Sequence, residues 1–121
     1  MSTEQLDFNL DKIDTRMGEL LEAFESHPRM QAPSPNPSIF FVFDFIRNTH
    51  RTLKAIDADK FRAGDGEARQ QAQEVMGRNQ FALTIVNDTS GKLELMTGGD
   101  PANPVDFGED VREKVRALTE V

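Results

Sequence analysis

The chain has 121 residues, no cysteine and a formal charge of −7. That length suits one domain, and the missing cysteine excludes disulfides, thiolate metal sites and a cysteine nucleophile. The acidity opposes non-specific binding to nucleic acid or anionic membranes, and the longest apolar run, residues 39–43, falls far short of the roughly 20 residues that span a bilayer.

Hydrophobic residues make up 37% of the chain, with nine Phe and no Trp or Tyr. A share that low leaves a small core, or one that a second chain completes. Residues 1–27 carry seven acids against two bases, and residues 100–121 six against three. Residues 39–63 reverse the balance, with five bases against three acids. A cysteine-free chain without a basic-then-apolar leader reads as cytoplasmic.

The first element is an amphipathic helix over residues 3–26. Ser2 with Gln5 matches a capping box. Leu6, Leu10, Ile13, Met17, Leu20 and Phe24 follow in alternating steps of four and three, which is a heptad seam. The seam can close on another helix of the same chain or serve as a homo-oligomer seam across a two-fold axis. His27-Pro28 ends the helix, because a residue before proline avoids the α region. Residues 28–38 hold four prolines and read as an extended linker of up to ~34 Å.

Ser38 reads as the cap of a second helix to about Ile56, with a seam of Ile39, Val42, Ile46, Thr49, Leu53 and Ile56. A buried strand over 39–46 is the alternative, but the helical period continues beyond it. Phe40, Phe41, Phe43 and Phe45 spread around most of this helix. They suggest an aromatic partner-binding surface, a helix buried at the centre of the fold, or an apolar pocket for a small ligand.

A third helix is expected from Asp65 or Gly66 to Met76, stopped by Gly77. Residues 80–87 and 92–97 then read as two antiparallel strands around a turn at 88–91. Phe81, Leu83 and Ile85 would share one face of that hairpin. Asp106 and Glu109 form a capping-box pattern for a last helix with the stripe Phe107, Val111, Val115 and Leu118. The fold class expected is therefore α+β, mainly α. Three to four helices form one domain over residues 1–121, with a β-hairpin between the third and last helices.

Chemistry is sparse. The two histidines, His27 and His50, lie in no metal-ligand spacing, and the acids at 57–67 fail the calcium-loop pattern. No nucleophile elbow or phosphate loop is present. No metal, no cofactor and no catalytic residue is expected. Arg47, His50, Arg51 and Lys54 share one helical face and could hold an anion such as a nucleotide, though bases near a helix C-terminus also offset its dipole.

The sequence thus points to a non-enzymatic protein-binding module: a regulator, inhibitor or assembly factor whose size and acidity also fit a phage protein. Its partner would be another protein, with self-association into a homo-oligomer and no membrane. Two alternatives are an anion or nucleotide binder and an acidic mimic of nucleic acid.

Overall fold

The computed structural model describes residues 3–31 and 36–120, with side chains from residue 10 onward. The described residues form seven helices: α1 (Thr3–Glu25), α2 (Pro28–Gln31), α3 (Pro37–Lys54), α4 (Ala58–Arg62), α5 (Gly66–Asn87), α6 (Lys92–Thr97) and α7 (Glu109–Thr119). No strand occurs among them. The α+β expectation is therefore corrected to all-α.

The four long helices close into a ring. α1 packs on α3 and α7, and α5 packs on the same two helices from the other side. Side-chain pairs set the directions. Phe24 at the end of α1 meets Phe43 early in α3, while Asp14 meets His50 near the end of α3. Arg78 and Phe81 of α5 meet Thr52 and Phe45 of α3 in reversed order. Arg16 of α1 donates to the Ala117 carbonyl, and Phe24 meets Phe107 just before α7. Each neighbour is antiparallel, so the bundle runs up-down-up-down. Each connection carries one short helix.

The core lies inside this ring. Met17, Leu20 and Phe24 come from α1, Ile39, Val42 and Ile46 from α3, Val75, Ala82 and Val86 from α5, and Val111, Val115 and Leu118 from α7. The spacing within each set is helical.

The hairpin fails for an identifiable reason. α5 runs straight through Gly77 and absorbs the expected first strand. Its buried positions are Ala68, Val75, Asn79, Ala82, Ile85 and Val86, a helical period that passes through a polar residue. Asn79 breaks the apolar count, so the alternation of Phe81, Leu83 and Ile85 dominates the sequence pattern. Gly77 adopts no positive φ, and a Cβ there would meet nothing within 4 Å. It costs α5 about 1 kcal/mol rather than ending it. Asn79 is fully buried, and neither side-chain amide atom meets a protein partner, an arrangement costing about 1–3 kcal/mol. The expected second strand is α6.

Caps move as well. Asn36, not Ser38, caps α3, accepting from the backbone N–H groups of Ser38 (2.9 Å) and Ile39 (3.2 Å). That leaves the Ser38 hydroxyl free for another contact. Gly108 precedes α7, while Asp106 accepts from the Gly108 N–H (3.0 Å) and pairs with Arg112. The cap expected at Ser2 lies outside the described residues. The linker of 28–38 is helical at its start, in α2. There the Arg29 N–H donates to His27 Nδ1 (3.1 Å), so the Nε2–H is left to donate to the Phe107 carbonyl (3.2 Å). That bond ties the α1–α2 turn to the start of α7.

Candidate functional site: the outer face of α6

α6 buries Leu93 in the core but leaves its two other large apolar residues outside. In its sequence KLELMT the charged Glu94 is 5% exposed, whereas Leu95 and Met96 are 73% and 65% exposed. Burial of apolar surface drives folding, so this orientation needs a cause. The cause is polar anchoring on the inner side. The Val105 N–H donates to Glu94 Oε1 at 2.6 Å, a bond to a carboxylate that fixes the 98–105 loop over α6. Thr97 Oγ1 donates to the Leu93 carbonyl (2.9 Å), which leaves the Ser38 hydroxyl to donate to Thr97 Oγ1 (2.8 Å). α6 is thereby latched to the start of α3. With Glu94 and Thr97 facing in, Leu95 and Met96 face solvent.

Two left-handed glycines frame the helix. Gly91 (φ +81°) precedes it and Gly98 (φ +83°) follows it. Gly91 is also buried against the loop, and a Cβ there would lie 2.3 Å from the Pro101 carbonyl oxygen.

Beside α6 runs a groove of about 460 Å³, lined on the α5 side by Phe81 and Ile85 and on the α6 side by Leu93 and Met96. Phe81 is 48% exposed, and its ring lies 5.6 Å from that of Phe45. Asp88 and Lys92 stand at the rim. A second cleft, of about 570 Å³ between α1 and α7, is acidic, with Glu19, Glu22, Glu109 and Asp110 against His27 and Lys114; Lys114 is itself paired with Asp110.

The four phenylalanines of α3 separate. Phe43 is buried beside Phe24 (6.0 Å), with the Arg47 guanidinium 5.3 Å from its ring. Phe41 and Phe45 are half-buried against the core, and Phe40 is exposed. Only Phe45, through Phe81, reaches the groove. Ile13, Met17, Leu20 and Phe24 of the heptad seam are buried inside the ring, Leu10 is half-buried, and the Leu6 side chain lies outside the described residues.

The basic face is matched by acids and amides. Arg47 pairs with Asp44, and His50 Nε2 lies 2.6 Å from Asp14 Oδ1. Arg51 donates to Asn48 Oδ1 (3.4 Å), and Lys54 shares a shallow pocket with Asp11 and Asp14. Among the described residues, no three or more His or carboxylate side chains are grouped to hold a metal ion. No helix among them is long and apolar enough to cross a membrane.

Sequence reading missed Phe81, Leu95 and Met96 as surface residues. They were expected in or beside a hairpin whose apolar face would be covered. Nothing in KLELMT announces that Glu94 points inward, because its partner is a backbone N–H eleven residues away.

Three aspartates hold the loops before and after α6, and each has its pKa lowered from the ordinary 3.8. Asp88 accepts from the Ser90 hydroxyl and N–H, and Asp100 from the Asn103 side chain and Ala102 N–H. Asp106 accepts from the Gly108 N–H beside the Arg112 charge. A folded pKa below the unfolded one adds stability that is complete above pH 3.8 and is lost as pH falls through the lowered folded values. The urea midpoint should therefore hold steady above that pH and fall below it. Asp100→Asn should flatten the fall, and an unchanged acid limb in that variant would contradict the assignment.

The phage-like reading gains nothing from this fold. No family model, curated protein or solved structure matches this chain.

Proposed function

We propose that the chain is a non-enzymatic protein-binding module whose docking surface is the outer face of α6 with the adjoining α5 groove. The observation that carries this reading is the exposure of Leu95 and Met96 on α6 while the charged Glu94 between Leu93 and Leu95 is buried. Exposed apolar side chains grouped beside a groove mark interaction surfaces. Phe81 and Met96 suit the role of anchors, since aromatics and Met are enriched at interface cores. The cations of α3 already face Asp14, Asp44 and Asn48, which disfavours the anion-binding alternative. A cysteine-free chain fits a reducing, cytoplasmic setting.

The test is photo-crosslinking inside the native cell. A photoreactive amino acid at position 95 should yield discrete polypeptide adducts, several-fold above those from position 113 on exposed α7 surface. Phe81→Asp added to the position-95 protein should remove them, while circular dichroism stays unchanged. Equal labelling from positions 95 and 113 would sink the proposal.

A further inference from the structure

We infer that His27 is a proton-operated cap: the neutral imidazole closes α2, and protonation of Nδ1 releases it while the ring of four long helices stays shut.

Both ring nitrogens of His27 meet backbone groups whose roles are fixed. The Arg29 N–H can only donate, so Nδ1 (3.1 Å) accepts with its lone pair. The Phe107 carbonyl can only accept, so Nε2 (3.2 Å) carries the hydrogen. The ring is thereby held as the neutral Nε2–H tautomer. Its place in the chain is that of an N-cap. His27 precedes α2, Pro28 fills the first helical position, and the side chain accepts from the second, as an Asn or Ser cap does. The His27 carbonyl accepts from the Met30 N–H (2.9 Å).

An imidazole differs from those caps because it takes up a proton within the physiological range, and the imidazolium has no acceptor. Once Nδ1 takes a proton from solvent, two N–H groups point at each other and the cap is lost. The Nε2–H bond to the Phe107 carbonyl survives and becomes charge-assisted, so the start of α7 stays tied to the ring. What comes loose is α2. It has one turn, which cannot hold itself in water, and Met30 is its half-buried residue against the core. The Asn36 N–H donates to the Arg29 carbonyl (3.0 Å), so release of Arg29 reaches the residue that caps α3.

The surroundings supply a place for the charged ring to turn. Glu19 and Glu22 of α1 and Glu109 and Asp110 of α7 line one cleft with His27, and Asp106 lies near enough to feel its charge. The cations there are Lys114, paired with Asp110, and Arg112, paired with Asp106, with Arg29 next to the ring in sequence. α3 sends no residue into this cleft. His50 shows the contrast. Its Nε2 lies 2.6 Å from Asp14 Oδ1, a partner that goes on accepting when the ring is charged.

The chain has two histidines, so NMR can follow each ring separately. Nitrogen spectra of His27 should show the Nε2–H tautomer on the alkaline side of its titration. As pH falls through that titration, the Cα shifts of residues 28–31 should move toward unstructured values in step with the ring. The ratio of helical to open α2 should drop about fivefold, the effect of losing a typical N-cap, while α1 and α7 hold. His27→Asn keeps an accepting cap that does not titrate, so α2 should stay helical and the step should vanish. His50→Gln should leave the step in place. Shifts at 28–31 that stay constant while the His27 ring is protonated overturn the inference. So does a step that survives in His27→Asn or vanishes in His50→Gln, and so does an Nδ1–H tautomer at high pH. The loop aspartates do not confuse the reading, because their lowered pKa values lie below 3.8.

Discussion

Phe24→Ala is expected to lower stability by about 3–5 kcal/mol. Phe24 is fully buried and is the point where three parts of the bundle meet. Its ring lies 6.0 Å from Phe43 of α3 and 6.5 Å, edge-on, from Phe107 before α7. Removing it loses the transfer free energy of the ring and leaves a cavity between elements that cannot both collapse inward. A domain of this size has about 5–15 kcal/mol in total, so the variant would keep only part of its stability, with Tm lowered by roughly 10–20 °C. Urea unfolding followed by circular dichroism reads the change. Phe40→Ala is the control, since that ring is 43% exposed, and it should cost well under half as much. Equal losses in the two variants would mean that Phe24 is not the central aromatic.

Gly91→Ala carries the second large effect, and it bears on the docking face. A left-handed φ costs a non-glycine residue about 1–3 kcal/mol. At Gly91 the added Cβ would also lie 2.3 Å from a backbone oxygen of Pro101, which cannot rotate away as a side chain could. The 98–105 loop must then shift, and the Glu94 to Val105 hydrogen bond goes with it. Hydrogen exchange should accelerate from residue 92 to residue 105 while the buried positions of α1 and α3 stay protected. Gly98→Ala separates the two causes. Its φ is +83°, yet nothing lies within 4 Å of its Cβ position, so it should show the backbone strain without the loop displacement. Identical exchange patterns in the two variants would argue against the clash.

These two positions differ in how far the sequence exposes them. Phe24 stands in a run of apolar residues at alternating steps of three and four, and the helix and its buried stripe are legible from that spacing. The stripe of α7 is legible for the same reason, as are the helical period of α3 and the turn residues around α6. Gly91 is legible only as a turn glycine. That it must accommodate Pro101 depends on a loop folding back over it.

The expected hairpin shows where local pattern runs out. Residues 80–87 alternate well enough for a strand and also fit a helical period. The choice was made by contacts remote in sequence: Phe81 against Phe45, and Ala82 and Val86 in the ring between α3 and α7. Asn79 hid the helical reading because it is a polar residue on the buried face. α6 shows the limit again, since six residues carry too little periodicity to fix which side faces in.

The sequence by itself therefore determined the amphipathic helices, the acidic ends and basic middle, and the absence of cysteine chemistry, because these follow from residue type and spacing alone. Tertiary structure decided that residues 80–97 are helical, that the seam of α1 closes on α3 and α7, and that Leu95 and Met96 point outward. The physical reason for the last is anchoring on the inner side: the Val105 N–H holds Glu94, the Ser38 hydroxyl holds Thr97 and Leu93 enters the core, so Leu95 and Met96 are left to face solvent.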